Sequence, residues 1–338
     1  MDEERVLLTH GSGGRRTRDL IEKRIVKIFD NPILNRLEDS AVIPEDWKEA
    51  GRLVMTTDSY VVSPLFFPGG DIGKLSVCGT VNDLATSGAV PLALSVGLII
   101  EEGFSIGDLE RVLMSMKATA DDIPVPLITG DTKVVERGRG DGIYISTTGV
   151  GAVPAGVDLN PGKIEPGDII LINGPVGNHE ASILSSRQDL SFEVTVESDC
   201  ASMTALMQKV VENIPEAKCA RDPTRGGLAS VLTELVEHTG YGMTLHEDRI
   251  PVDASVQGVC DLLGMDPIMM ANEGKMVVVV GRPCAEACLE VMRTLPEGRN
   301  AVSIGEVHGD KPRLTLMTPY GTSRIITMPM GNQLPRIC

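Results

Sequence analysis

Between residues 151 and 168 the chain reads GAVPAGVDLNPGKIEPGD. Proline removes a backbone donor and glycine weakens both helix and strand, so no regular element runs through this stretch. The chain must therefore fold as two domains, 1–152 and 153–327, with a tail at 328–338. A length of 338 residues suits that division. Both halves mix strand-like and helix-like text without strict βαβ regularity, which predicts an α+β fold. Aromatic residues are only 3% of the chain, so each core must rest on Val, Ile, Leu, Met and Ala.

Periodicity places the elements. TRDLIEKRIVKIF reads as an amphipathic helix after a mobile loop, HGSGGR. RLVMTTDSYVV (52–62) and PLALSVGLII (91–100) read as strands. GKLSVCGTVNDLATSG (73–88) is a buried helix stopped by Gly88, and 105–123 is a helix capped by Ser105. VPLITGDTKV is a strand with a glycine turn inside it, followed by GIYISTTGVGAV. In the second half DIILING, KMVVVVG, AVSIGEVHG and RLTLMT are strands. NHEASILSS, CASMTALMQKVVENI, GGLASVLTELVEHTG and CAEACLEVMRTL are helices.

The net charge of −16 removes the basic footprint that nucleic-acid binding needs. It serves solubility, and some of the carboxylates can also be metal ligands. MDEERVLL has no apolar segment of the signal-peptide kind, and no apolar run reaches membrane-spanning length, so the chain is expected to be cytoplasmic and to bind no membrane. Its seven cysteines, an odd number without a CxxC pair, are no disulfide framework. Cys284 and Cys288 are spaced to share a helix face, as a packed pair or, with further ligands, a metal site.

The familiar phosphate-binding signatures fail. Gly73-Lys74 has Pro68 where a P-loop needs glycine and Leu75 where it needs Ser or Thr. GSGGRR and GRGDGI both lack the last glycine of a dinucleotide fingerprint. His179-Glu180 does not continue into HExxH, and no GxSxG occurs. What stands instead is a set of aspartates at strand ends or among small residues. They are Asp39 (LEDSAVI), Asp58 (VMTTDSYVV), Asp83 (GTVNDLATSG) and Asp131 (LITGDTKV). Each alone reads equally as a cap or turn residue. Together they suggest Mg²⁺ ions that hold a polyphosphate in place of a backbone nest.

Three further stretches carry candidates. In ARDPTRGGLASVL, Gly226 and Gly227 open a helix whose N–H groups could meet a phosphate, or simply start the helix. Glu273 in MANEGKMVVVV is either a general base or a solvated turn residue. Lys133 either offsets phosphate charge or is a surface lysine.

Taken together, HGSGGR, TTDSYVV, NDLATSGA, GDTKV, ARDPTRGGL, ANEGK and the terminal PRIC resemble the carbamoyl dehydratases of hydrogenase maturation, the HypE family. The resemblance runs from His10 to Cys338. The aspartate motifs are shared with the wider superfamily of aminoimidazole ribonucleotide synthetase (PurM), selenophosphate synthetase and thiamine-monophosphate kinase, and PRIC narrows it. One departure lies in GPVGNHEASIL, with Asn178 where Asp is expected and Glu180 where Gly is expected.

The resemblance implies a PurM-like fold, with N-terminal strands contributing to a dimeric β-barrel and a C-terminal α/β sandwich domain. It implies a homodimer with ATP and Mg²⁺ near that interface, under the glycine-rich N-terminal loop. Asp39, Asp58, Asp83 and Asp131 would hold metal and nucleotide, with Thr132, Lys133, Gly226 and Gly227 beside the nucleotide. Lys133 and Glu273 would manage protons and charge. Cys338 would take a carbamoyl group from the carbamoyltransferase HypF. ATP would drive its dehydration to a thiocyanate, and the cyano group would pass to iron on the HypC–HypD scaffold. The alternative is another superfamily activity, a small-molecule kinase or an amidine-forming ligase, which needs no terminal thiol.

A carrier thiol suits a flexible tail. Ten residues beyond Met328 reach at most roughly 33–36 Å. Gly331 gives a pivot and Pro335 a stiff tip. A neighbouring α-carboxylate should disfavour the thiolate relative to a free value of ~8.5, with Arg336 as an offset. Activation is then expected from a partner or the site, not from the tail.

Overall fold

The computed structural model describes residues 4–11, 19–36, 51–187, 195–328 and 336–338. Asp39 and most of the glycine-rich N-terminal loop lie outside them. The first sheet has four strands in the order β1-β6-β4-β5, namely Arg52–Tyr60, Ile143–Val153, Val90–Glu101 and Leu127–Val135. A two-stranded ribbon, β2 and β3 (Phe66–Phe67 and Gly70–Asp71), leads into α1, Ile72–Thr86. Asp71 caps α1 by accepting from the N–H groups of Gly73 and Lys74. Beside it lies α2, Ile106–Asp122, capped by Ser105 as its sequence predicts. Both helices cover one face of the sheet, and Leu75, Val81, Leu109, Leu113 and Met116 fill the space between.

Strand β5 departs from its sequence reading. It runs straight through Gly130, with no turn, pairing parallel to β4. A Cβ at Gly130 would stand 2.6 Å from the carbonyl oxygen of Val96, so the glycine serves close strand approach.

The second sheet has seven strands in the order β13-β12-β9-β11-β7-β10-β8. In chain order they are β7 Ile169–Ile172, β8 Ala217–Arg221, β9 Gly242–His246, β10 Val277–Val280, β11 Val302–His308, β12 Leu314–Met317 and β13 Ser323–Ile326. The last of these has no periodic signature in the sequence. The run VVVV is apolar throughout because both faces of β10 are buried. Val277 and Val279 face a core built around α5, Gly227–Thr239. Val278 and Val280 face another, around α4 (Thr204–Asn213) and α7 (Ala285–Arg293). Two more helices, α3 (Asn178–Ser185) and α6 (Ala254–Leu263), belong to the C-terminal half in sequence but join the core of the N-terminal one.

The two halves are stapled by a buried asparagine. Asn82 Nδ2, from α1, donates to the carbonyls of Ala201 (3.0 Å) and Glu273 (3.3 Å), and its Oδ1 accepts from Met203 N–H at 2.6 Å. This contact also explains why the helix expected from Cys200 starts only at Thr204. Asn82→Ala would orphan the buried Met203 N–H. It is expected to cost about 1–3 kcal/mol in urea unfolding. A midpoint equal to wild type would remove Asn82 from the interdomain joint.

Candidate active site

The site lies where the end of β1, helix α1 and three loops of the C-terminal half converge. Asp58 and Thr56 alternate with outward residues along β1 and point toward α1. Thr56 Oγ1 donates to Asp83 Oδ2 at 2.7 Å, which fixes the mid-helix aspartate noted in the sequence. Burial raises the Asp83 pKa, the Thr56 hydrogen bond opposes the rise, and the charge of Asp58 adds to it. From the loop after β8 comes Asp222. Burial and then the Asp83 carboxylate push it from 3.8 up to about 7.

Glu273 is 4% exposed, at the end of the loop entering β10. Its pKa is raised well above the ordinary carboxylate value, first by burial, then by Asp199, Asp222 and Asp58. Its backbone is held rigidly. Asp199 accepts the N–H groups of Glu273 and Gly274, both at 3.2 Å, and is itself paired with partly buried Lys275 at 3.1 Å. Asn272 accepts from Gly177 N–H at 2.7 Å and donates to the Pro223 carbonyl at 2.8 Å, so it ties three loops together. The motif ANEGK is thus a frame around one carboxyl.

The end of the chain occupies this chamber. The Arg336 carbonyl accepts from Ser63 N–H and Arg187 Nη2, both at 3.1 Å. The Arg336 side chain donates to the Val61 carbonyl at 2.9 Å and pairs with Asp141. Ile337 is buried among N-terminal core residues, and its carbonyl meets His179 Nε2 at 2.9 Å. The Cys338 thiol faces the Glu273 carboxyl. Burial and the facing Glu273 raise the thiol pKa strongly, and Arg225 offsets only part of this. Burial and Glu273, rather than the α-carboxylate, thus disfavour the thiolate in the docked position. The last three residues are held inward, a conformation that sequence could not supply.

Of the aspartates proposed from sequence, the three among the described residues do not form one cluster. Asp58 lies opposite Thr147, and Thr147 opposite Val96, on the helix-covered face. Asp131 lies opposite Gly97 and Ser146, one residue further along and hence on the other face. There it is 68% exposed and paired with Lys133 at 2.8 Å, which lowers its pKa. Thr132 between them is buried, and its N–H is bound to Asp131. Gly226 and Gly227 do start a helix, both with positive φ. At Gly227 a Cβ would stand 2.5 Å from the Met270 carbonyl oxygen, so this glycine serves loop packing. Cys288 is buried in the core and Cys284 sits at the helix start. Among the described residues no three His, Cys, Asp or Glu side chains converge tightly enough to cage a metal on their own.

Sequence reasoning missed Asp199, Asp222, Asn272 and Arg225. Asp222 and Arg225 stand inside ARDPTRGG, and Asn272 inside ANEGK, so attention to the glycines and Glu273 overlooked their neighbours. Asp199 stands in ESDC, where nothing local marks it.

The raised pKa of Asp222 carries a sign that can be tested. The folded state holds that proton more tightly than the unfolded chain, so stability falls as pH rises from about 4 to about 7. In the absence of divalent cations, Asp222→Asn is expected to raise Tm by roughly 2–4 °C at pH 8 and hardly at all near pH 4. A Tm at pH 8 no higher than wild type would show that Asp222 is not strained in this chamber.

Residues 37–153 match the family described as AIR synthase related protein, N-terminal domain, and residues 165–316 match its C-terminal domain. The chain is 48% identical over 334 residues to the carbamoyl dehydratase HypE of Azotobacter vinelandii, covering 98% of this chain and 97% of that one. It superposes with a TM-score of 0.93 on a crystal structure of hydrogenase maturation protein HypE in complex with ATP, at 43% identity over 98% of this chain and 99% of that chain. The HypE subunit of a HypE–HypF complex matches with a TM-score of 0.80 at 44% identity, covering 92% and 99%.

Proposed function

The chain belongs to the HypE carbamoyl dehydratases within the AIR synthase related family, and we propose the following reading of how its residues do that work. The enzyme dehydrates a carbamoyl group on its own Cys338 to the S-cyanide, with ATP, for the maturation of [NiFe] hydrogenase. The observation that carries this assignment is the Cys338 thiol lodged against Glu273, beside Asp58 and within a cluster of carboxyls. A kinase or ligase acting on a small molecule would have no use for a thiol seated there.

The residues suit Mg²⁺ and ATP. The Asp58 charge adds to the raised pKa of Asp83, and Asp83 and Asp58 both add to that of Asp222; a divalent cation would relieve such repulsion. These carboxylates would hold a Mg²⁺ ion, and the ion would neutralise part of the charge of a bound polyphosphate. Bound Mg-ATP supplies the phosphoryl group that converts the amide oxygen into a leaving group. Glu273 is placed to accept the protons that the amide nitrogen must lose. Burial makes it a stronger base than a solvated carboxylate once it is ionised. Arg225 is a cation near the sulfur and steadies negative charge there. Because the docked thiol is held protonated, loading of the carbamoyl group takes place with the tail undocked, on HypF. The finished cyano group is then delivered to the HypC–HypD scaffold. Six further free thiols suit the reducing cytoplasm.

The open face of the first sheet supports a homodimer. Met55 is 72% exposed there, with Leu53 two residues along the same strand, and Ile99 is exposed further along the same face. A second copy laid on this face closes a barrel and faces the partner's sheet toward Asp131 and Lys133. That is how those two residues would reach a nucleotide. Met55→Asp is expected to convert a dimer into a monomer in sedimentation. A wild-type monomer, or a variant that stays dimeric, removes this face from the assembly.

The direct test of function is intact mass after incubation with HypF, carbamoyl phosphate and Mg-ATP. A gain of about 25 Da is expected, a cyano group replacing a proton. No gain with active HypF would turn the reading toward a kinase or ligase.

A further inference from the structure

We propose that helix α3 is the bracket that aligns thiol and base, with His179 and Glu180 as positioning residues for the dehydration. This rests on the reading of Cys338 and Glu273 given above. The two residues are consecutive, both are buried, and each holds the backbone of a segment that carries one of the two reacting groups. His179 Nε2 lies 2.9 Å from the carbonyl of Ile337, the residue bonded to Cys338. Glu180 Oε2 accepts from Ala271 N–H at 2.8 Å, and Glu180 N–H donates to the Ala271 carbonyl at 3.3 Å. Ala271 stands two residues before Glu273. One rigid turn of helix thus sets the distance between sulfur and carboxyl.

The imidazole is prepared for this task. A carbonyl can only accept, so Nε2 carries the proton and Nδ1 accepts from Ser198 Oγ at 2.8 Å. Ser198 Oγ is oriented in turn by the Cys200 N–H at 3.1 Å. Phe67 packs edge-on to the ring at 5.5 Å and blocks its rotation. Burial lowers the His179 pKa, which keeps the ring neutral. The hold on the tail is a single neutral hydrogen bond at this point, firm enough to seat the thiol and weak enough to release it. Glu180 stands where the sequence reading expects glycine. Its carboxyl adds a second point of attachment, beside its backbone N–H, to the segment carrying Glu273, and glycine would leave only the backbone one.

The test has two arms. In the first, alkylation of Cys338 by iodoacetamide is followed on the C-terminal peptide by mass spectrometry, with buried Cys78 and Cys200 as internal reporters of an intact fold. His179→Ala is expected to speed Cys338 alkylation about five- to tenfold while both reporters stay protected. His179→Gln keeps an N–H donor and is expected to fall nearer wild type. If the alanine variant unmasks the reporters, the glutamine variant decides. Unchanged Cys338 reactivity in a folded alanine variant, or a glutamine variant as labile as a fully exposed thiol, overturns the clamp. In the second arm, Glu180→Met is expected to lower kcat for dehydration of the carbamoylated enzyme about tenfold, with KM for ATP and Cys338 alkylation unchanged. Glu180→Gln retains the acceptor and is expected to restore kcat to within about twofold. Full kcat in Glu180→Met overturns the bracket. A wild-type enzyme without dehydration would instead refute the functional reading, and the alkylation arm would still report where the tail sits.

Discussion

Cys338→Ala is expected to yield no carbamoylated and no cyanated protein under conditions that convert wild type completely. All of the chemistry assigned to this chain takes place on one sulfur, so no partial activity remains. The variant should still fold and bind ATP. The tail is seated by the backbone carbonyls of Arg336 and Ile337 and by the buried Ile337 side chain, none of which the substitution touches. Removing a thiol that is forced to stay protonated costs the fold little. Cys338→Ser should be equally inert, because an alkoxide forms far less readily than a thiolate. Intact mass and nucleotide binding, measured together, check both halves. A mass gain on Cys338→Ala would place the acceptor on another thiol and end the carrier reading.

The second large effect is expected at Glu273. Glu273→Gln keeps the shape and removes the base. Dehydration should slow by about 10²–10⁴-fold, with the carbamoylated form, about 43 Da heavier than the unmodified chain, accumulating. The same change should stabilise the protein at neutral pH. Glu273 ionises only well above the ordinary carboxylate pKa when folded, and near ~4.3 when unfolded. The unfolded chain therefore gains from losing that proton as pH rises past about 4, and the folded chain does not. Stability lost in this way is recovered by glutamine above about pH 5, and no difference is expected below pH 4. Thermal unfolding at pH 4 and pH 8, beside single-turnover mass measurements, separates the two effects. A variant with full dehydration would move the base to another group in the chamber. A destabilised one would mean that Glu273 is held ionised.

The stability gain and the activity loss belong to one cause. Carboxyls gathered without a cation repel one another, and the fold maintains them at a cost to stability because function uses their strain. The frame around them shows how that is done. Asp199, Asn272 and Asn82 are hydrogen-bonded to backbone around the chamber, and Lys275 pairs with Asp199, so the backbone that carries Glu273 is held in place.

The sequence by itself determined the elements and the chemistry. Gly/Pro density divides the chain near 160, apolar periodicity marks α1 and α2 with their caps, and the run VVVV marks a strand buried on two faces. The failed phosphate signatures together with the motif set point to this family. These features depend on neighbours a few residues apart, and local sequence holds that information. Tertiary structure alone decided which acidic residues meet. Asp58 and Asp131 look alike in sequence, yet strand register puts them on opposite faces of one sheet, because side chains alternate and a single residue changes the face. Asp199 has no local mark, and its role arises only where its loop meets Gly274. His179 lies in a stretch whose departures from the pattern obscured its use. Its partner is the Ile337 carbonyl, 158 residues away, and only folding brings the two together.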